Sequence, residues 1–257
     1  MTRIKLRPLD PPGLAMVWVH PMAKRAKKPK ARRIRPVAFV LRWAFRGALA
    51  ATALMVLAVL AYKVINPPTT PYILSESRRL GGVKREWVPF ERIAPVMVRS
   101  VVAAEDANFC LHWGFDMVAI RAALDAGGAR GASTISQQVA KNTWLWQGRS
   151  WVRKALEALM TPVMEALWSK KRVLEVYLNV IEFDEGVFGV EAAAQQYFGV
   201  SAAKLTPLQA ARLAAVLPNP KGRSAANPTP SLRKRAVSIR DGAATIRADG
   251  RAACFES

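Results

Sequence analysis

Apolar residues are arranged in two different ways along this chain of 257 residues. Residues 47–62 form one apolar run, GALAATALMVLAVLAY, which is interrupted only by Thr52. An uncharged run of this length makes about 24 Å of helix, and its extension over residues 43–65 predicts a helix that can cross a bilayer. After it, apolar residues recur at helical spacing. We therefore expect the rest of the chain to be mainly α-helical.

The two other interpretations of the apolar run are a buried core helix and a cleavable signal peptide. A core helix should show a polar face, which this run lacks. A signal peptide normally begins near the N-terminus, whereas more than forty residues precede this run. The pattern favours an uncleaved membrane anchor.

Capping residues and prolines place the helices that follow the anchor. The first is predicted from Pro95 to about Leu111, and a Gly-rich loop is expected at 125–133. The capping box TISQ (134–137) predicts a helix that runs to about Trp144. The next helix should start near Ser150, with a kink or restart at Pro162, and another should start at the N-cap Ser169. Two more are predicted at 190–199 and after the capping box TPLQ (206–209). Short strands are predicted near 72–74 and 86–88.

The charge is concentrated before the anchor. The chain carries a net +21, and residues 1–46 contain 13 Lys or Arg against one acidic residue. The segment KRAKKPKARRIR (24–35) alone would also suit nucleic acid, but an excess of basic residues before a membrane helix holds the N-terminus in the cytoplasm. The predicted layout is a basic cytoplasmic arm (1–42), a transmembrane helix (43–65), a linker and membrane-proximal segment (66–84), a catalytic domain (85–230) and a basic C-terminal tail (231–257).

The two cysteines, Cys110 and Cys254, could pair if the segment after the anchor is periplasmic. Free thiols are nevertheless favoured, because one falls in an apolar helix and the other in the tail. His20 and His112 are the only histidines. Neither a Cys/His metal cluster nor a Ser-His-Asp triad is expected from so few partners.

The first candidate for chemistry is the stretch EDANFCLHWGFD (105–116). If the helix continues through it, Glu105, Phe109 and His112 share one face. A carboxylate beside an aromatic ring in apolar surroundings has a raised pKa, which suits a general base. The alternative is an ordinary charge on a helix surface.

Two further segments, GASTISQQVAKN (131–142) and GRSWVRKALE (148–157), combine polar groups with cations. The free N–H groups of a helix start near Ser133 and Thr134 suit an anionic oxygen, and Gln137 shares a helix face with Lys141. In the second segment Arg149, Arg153 and Lys154 could bind a diphosphate, with Glu157 positioning one of them or holding a metal. A capped amphipathic helix and solvated ion pairs are the plainer alternatives.

Together with SKKRVLEVYLN (169–179), these segments resemble the ordered motifs of the peptidoglycan glycosyltransferases, glycosyltransferase family 51, over about residues 85–230. Since no penicillin-binding domain follows, the chain is similar to the monofunctional biosynthetic form. The resemblance implies a lysozyme-like helical catalytic domain with a smaller membrane-proximal lobe. It also implies Glu105 as general base and Glu157 as second carboxylate. The residues at the donor diphosphate would be Ser133, Thr134, Gln137, Gln138, Lys141, Asn142, Arg149, Arg153 and Lys154.

The reaction that the resemblance implies is the polymerisation of lipid II into glycan strands with inversion and release of undecaprenyl diphosphate. A divalent cation, Mg²⁺ or Mn²⁺, at the diphosphate is left open, and no metal ligand is assigned. The expected partners are lipid II, the growing glycan strand, the membrane and other cell-wall synthesis proteins, but not nucleic acid. The catalytic domain is expected in the periplasm, anchored to the inner membrane by one span. The alternatives are a lysozyme-like hydrolase and a membrane-tethered, non-catalytic binder of anionic polymers.

Overall fold

The computed structural model describes residues 36–127 and 133–256, and helices dominate it, as predicted. The helices are α1 (Pro36–Val64), α2 (Pro71–Leu80), α3 (Pro95–Glu105), α4 (Met117–Asp125), α5 (Ile135–Trp144), α6 (Trp151–Leu167), α7 (Lys170–Val180), α8 (Val190–Phe198), α9 (Pro207–Val216), α10 (Pro230–Ala248) and α11 (Ala253–Glu256). The basic segment 24–35 and most of the Gly-rich loop lie outside the described residues.

Helix α1 begins seven residues before the predicted membrane span and covers all of it except its last residue, Ile65. Its 29 residues make about 43 Å of helix. Among the described helices, only α1 is long and apolar enough to cross a membrane. Large apolar side chains such as Phe45, Leu49 and Leu54 are exposed along it, and Val59 is its one buried residue. Exposed apolar side chains on all sides are typical of a helix surrounded by lipid.

The last turns of α1 belong to one compact unit with the rest of the chain from Gly47 onward. Arg172 on α7 donates hydrogen bonds of 2.8 and 3.0 Å to the carbonyl of Tyr62 and one of 2.9 Å to that of Ile65. The indole of Trp168 donates to the carbonyl of Val59 at 2.8 Å. The carbonyls of Tyr62 and Ile65 lie at the helix C-terminus, where they lack partners within the helix, and Trp168 adds a bond earlier in the helix. These two side chains therefore fix the end of the anchor.

The core is built around α3, which packs against α9 and α10, while α5 packs against α6 and α7. Val98, Val101, Val102 and Phe109 are all buried. The capping boxes that open α5 and α9 and the N-caps at Ser150 and Ser169 are present. Local capping signals therefore located most of the middle helices.

Helix α3 ends earlier than predicted. It stops at Glu105 because Asp106 adopts an extended φ of −161°, and a separate 3₁₀ helix follows at Phe109–Leu111. The prediction that Glu105, Phe109 and His112 share one helical face is therefore wrong. Helix α6, in contrast, continues through Pro162 without restarting.

Three short strands form a small sheet, β1 (Lys84–Arg85), β2 (Glu182–Asp184) and β3 (Val187–Phe188), in the order β1-β3-β2. β3 runs parallel to β1 and antiparallel to β2. The strand predicted at 72–74 is instead part of α2, since Thr70 caps that helix and Pro71 occupies its first turn. The candidate at 86–88 lies just beyond β1, where the side chain of Asn179 pairs with the backbone of Val88.

The C-terminal segment predicted as a basic tail is folded. Residues 230–248 form α10, which packs on α3 and α9 through buried side chains at regular helical spacing: Leu232, Ala236, Ile239, Ala243 and Ile246. The basic residues of this segment lie mainly on the exposed positions between them. The high charge density had hidden an amphipathic helix.

The prediction of free thiols is also wrong. Cys110 and Cys254 form a disulfide that joins the 3₁₀ helix after Glu105 to α11. Phe255 is fully buried beside it, and Glu256 pairs with Arg99 on α3. The end of the chain is thereby fixed to the segment that carries the first candidate carboxylate.

Candidate active site

Glu105 owes its position to the residue that follows it. The carboxylate of Asp106 accepts hydrogen bonds from the backbone N–H of Ile135, at 3.0 Å, and from the ring of His112, at 2.7 Å. The first bond satisfies one of the free N–H groups at the start of α5. Asp106 thus joins the end of α3 to the start of α5, and Glu105 comes to lie beside α5.

The carboxylate of Glu105 is half-buried and accepts a hydrogen bond of 3.0 Å from the side-chain amide of Gln138. Burial raises its pKa, although the amide of Gln138 and the charges of Arg235 and Lys141 oppose the rise. Glu105 lines a cavity of about 310 Å³ together with Ser133. A carboxylate with a raised pKa in an open cavity can accept a proton from a bound hydroxyl.

Glu157 on α6 is the second candidate carboxylate and is almost fully buried, at 2% exposure. Arg153 donates to one of its oxygens at 2.8 Å, and Lys154 donates to the other. Lys154 also donates to the hydroxyl of Ser133 at 3.1 Å. Since a buried charge is stable only when it is paired, Glu157 holds both cations in place and ties α6 to the segment before α5.

Lys141 on α5 is close enough to both Glu105 and Glu157 for each carboxylate to raise its pKa, although burial makes the net direction a lowering. Arg153 and Lys154 contribute to the lowering. Lys141 has no hydrogen-bond or ion-pair partner among the residues that the structure describes. A half-buried ammonium group without a partner is suited to an anionic ligand.

The remaining predicted site residues are placed differently. Thr134 and Gln137 are buried and form the capping box of α5, and the hydroxyl of Thr134 also donates to the carbonyl of Gly114 at 2.6 Å. Asn142 is buried and accepts from the side chain of Gln147 at 3.1 Å. These three side chains are engaged within the fold, whereas Arg149 is exposed.

Two residues near Glu105 were missed by sequence reasoning. Arg235 lies on α10, close enough to lower the pKa of Glu105. The apolar spacing of α10 could have identified this helix. Tyr177 on α7 is fully buried, and its hydroxyl donates to the amide oxygen of Gln138 at 3.3 Å. No sequence signal separates such a tyrosine from an ordinary core residue.

A further polar cluster lies in the segment that follows α3. Asp106, His112 and Asp116 have ligand atoms within 4.8 Å of one another, close enough to share a cation. All four of the carboxylate oxygens, however, already accept hydrogen bonds, two of them from the backbone N–H groups of Ile135 and Ala119. We therefore assign this cluster a structural role.

Glu165 on α6 makes a second connection between the site segments. It accepts from the hydroxyl of Ser136 and, at 2.9 Å, from the ammonium group of Lys170. Lys170 also donates to the carbonyl of His112 at 2.8 Å and lies 4.3 Å from the ring centroid of Phe109. The 3₁₀ helix after Glu105 is thus tied to α5, α6 and α7 together.

A helical domain that holds a glutamate with a raised pKa beside a group of cations, after a helix able to span a membrane, is typical of a membrane-anchored enzyme for an anionic substrate. A family model described as Transglycosylase matches residues 74–243. The chain belongs to this transglycosylase family, which confirms the resemblance seen in the motifs.

Three similar proteins are each named biosynthetic peptidoglycan transglycosylase. That of Jannaschia sp. (strain CCS1) is 62% identical over 237 residues, which cover 91% of this chain and 99% of the relative. That of Caulobacter vibrioides is 48% identical over 203 residues, covering 77% and 89%. That of Rhodospirillum centenum is 47% identical over 213 residues, covering 80% and 92%.

Proposed function

We propose that the chain is a peptidoglycan glycosyltransferase that polymerises lipid II into glycan strands with inversion and releases undecaprenyl diphosphate. Its family and its relatives support glycan polymerisation. The observation that carries the finer proposal is the ammonium group of Lys141, which has no partner in the described part of the chain and acts electrostatically on both Glu105 and Glu157. A diphosphate leaving group needs a cation at such a place, whereas a neutral polysaccharide does not.

In the proposed reaction Glu105 removes the proton from the 4-hydroxyl of the acceptor GlcNAc. The oxygen attacks C1 of the donor MurNAc from the face opposite the diphosphate, so that a new glycosidic bond forms while the C1–O bond to phosphate breaks. The raised pKa of Glu105 makes it a stronger base than an exposed glutamate. The electron pair of the broken bond remains on the diphosphate.

The cations stabilise the charge that collects on this leaving group. Lys141 offers an ammonium group that has no partner among the described residues, and Arg149, eight residues further along the chain, is exposed. Arg153 and Lys154 are already held by Glu157. Preorganised cations of this kind stabilise the charge that develops in the transition state. We assign Glu157 the role of positioning Arg153 and Lys154.

A divalent cation at the diphosphate does not fit Glu157. Both carboxylate oxygens of Glu157 accept hydrogen bonds from cationic side chains, and Lys141 adds a third positive charge close by. A metal ion there would be repelled and would find no free carboxylate oxygen on this residue. The steps above are therefore assigned to the side chains of the protein.

The proposed location is the outer side of the inner membrane. The basic arm favours a cytoplasmic N-terminus, so residues after α1 would face the periplasm. The Cys110–Cys254 disulfide supports this side, since disulfides persist in oxidising compartments such as the periplasm. Other cell-wall synthesis proteins remain predicted partners.

The test uses the full-length chain in detergent or liposomes with purified lipid II. Glu105→Gln is expected to keep lipid II binding and to lose at least about 100-fold in polymer formation. The matched control is Glu185→Gln, the same change at an exposed ion pair with Arg79. Near-normal turnover of Glu105→Gln would contradict the proposal.

The two alternative functions, a hydrolase and a non-catalytic binder, predict different results with the same protein preparation. Release of soluble muropeptides from purified peptidoglycan would favour a hydrolase. Binding of anionic polymers that is steeply salt-dependent and survives loss of both Glu105 and Glu157 would favour a non-catalytic binder. If the protein makes polymer from lipid II, non-catalytic binding cannot be its whole function.

A further inference from the structure

Three side chains from three helices form a hydrogen-bonded row that ends at Glu105. The hydroxyl of Tyr177 on α7 donates to Oε1 of Gln138 on α5, at 3.3 Å. Nε2 of Gln138 donates to Oε2 of Glu105, at the end of α3, at 3.0 Å. Tyr177 is fully buried, and its hydroxyl bonds to the amide and not to the carboxylate.

The direction of this row follows from the chemistry of its members. An ionised carboxylate only accepts hydrogen bonds, whereas a glutamine amide has a donating and an accepting end. If the amide turned over, its oxygen would face the carboxylate, and the ionised form of Glu105 would lose a donor. Tyr177 faces the oxygen end, and a hydroxyl can donate to it.

Tyr177 keeps the proton that this role requires. Burial raises its pKa well above the ordinary tyrosine value, and the charges of Glu105 and Asp106 raise it further. The hydroxyl therefore remains a donor throughout the pH range in which the protein functions.

We propose that Tyr177 is a positioning residue, which orients the amide of Gln138 so that its N–H group, and not its oxygen, faces the base Glu105. The inference rests on the proposed function of Glu105. It assigns to a core tyrosine control over the ionised state of a carboxylate that it does not touch.

The other charged groups around Glu105 would stay the same in a variant without the hydroxyl. Arg235 from α10 and Lys141 from α5 favour the ionised carboxylate, and Asp106 disfavours it. Tyr177→Phe removes only the oxygen atom and keeps the buried ring. A change in the pKa of Glu105 in this variant is then attributed to the amide of Gln138.

The experiment is the pH dependence of kcat/KM for lipid II polymerisation by the full chain. The acid limb of this profile is the range in which activity is lost as the pH falls and Glu105 takes up a proton. We expect Tyr177→Phe to move this limb to a higher pH by roughly half to one pH unit. Relative to wild type, the activity of the variant should be up to about tenfold lower at pH values below the limb, and less than about twofold lower on the plateau at higher pH. Tyr197→Phe is the matched control, because its hydroxyl donates to the carbonyl of Phe183 at the same distance, 3.3 Å.

A double-mutant cycle separates the amide from other effects. Gln138→Leu should move the acid limb in the same direction, and Tyr177→Phe should add no further shift in that background. An additional shift there would overturn the proposal, because Tyr177 would then act on Glu105 by another route.

A second pair of variants keeps the test valid if Tyr177→Phe does not fold. Tyr177→4-aminophenylalanine retains a donor at the ring position of the hydroxyl and should keep the wild-type limb, whereas Tyr177→4-methylphenylalanine fills the space without a donor and should shift it. A uniform loss at every pH, or an unmoved limb, would overturn the inference. If wild-type protein makes no polymer, or Glu105→Gln remains active, the proposed function itself has failed.

Discussion

Loss of the Cys110–Cys254 disulfide should destabilise the catalytic domain measurably. The bond closes a loop with a sequence separation of 144 residues, from the 3₁₀ helix after Glu105 to the last turn of the chain. Without it, α11 would be held by the buried ring of Phe255 and by the ion pair of Glu256 with Arg99.

The expected magnitude follows from the size of the loop. The chain-entropy relation gives about 5 kcal/mol for a loop of this size, and measured values for disulfides are typically about 2–4 kcal/mol. For a domain of this length, each kcal/mol lowers Tm by about 2–4 °C. A decrease in Tm of at least about 4 °C is therefore expected.

Cys254→Ser in the full chain is the perturbation, and thermal unfolding in detergent is the assay. Wild-type protein treated with a thiol reductant should show the same decrease, whereas the reductant should have no effect on Cys254→Ser, which is the control. Limited proteolysis should remove the C-terminal residues of the variant first. A Tm that does not change on substitution or reduction would refute the reasoning.

Three further outcomes are expected. The plot of kcat/KM against pH should be bell-shaped, because in the proposed reaction Glu105 must lose its proton at a pKa raised by burial, and Lys141 must keep its proton although burial lowers its pKa. An acid limb below the ordinary glutamate pKa would contradict this. Arg172→Ala should expose the end of α1 to proteases by removing its hydrogen bonds to the anchor carbonyls, and unchanged digestion rates would argue against that role. Gly114→Ala should lower the free energy of unfolding by about 1–3 kcal/mol, since φ is +82° there and the new Cβ would lie 2.5 Å from Thr161 Cγ2; chemical denaturation measures it, and wild-type stability would refute it.

The parts of the fold that could be predicted from sequence are those that local chemistry determines. The helices after Thr134, Ser150, Ser169 and Thr206 begin where a side chain caps free N–H groups. The membrane helix followed from apolar length alone. These signals lie within a few residues of the structure that they specify.

The sheet and the disulfide depended on contacts between distant residues. Strands of two or three residues are too short to show alternation. Cys110 lies beside Cys254 in a fold in which α10 packs on α3, and the two are 144 residues apart in sequence. The early end of α3 likewise depends on Asp106, whose carboxylate binds the distant start of α5. Sequence spacing alone predicted a longer helix.

The candidate site was partly accessible from sequence. Glu105, Glu157 and Lys141 were identified by residue type and motif, and the structure brings them into one neighbourhood. Arg235 was missed because it lay in a segment interpreted as a tail, and Tyr177 was missed because its sequence context is that of any core aromatic residue. Supporting residues become visible only when helices far apart in sequence are packed together.

The attachment of α1 to α7 has a geometric consequence for the proposed reaction. Arg172 binds the end of the anchor, and Tyr177, five residues further along α7, contacts the amide beside Glu105. Five residues of helix correspond to about 7.5 Å. In the proposed reaction, one short and stiff stretch of α7 therefore keeps the base Glu105 close to the end of the membrane anchor.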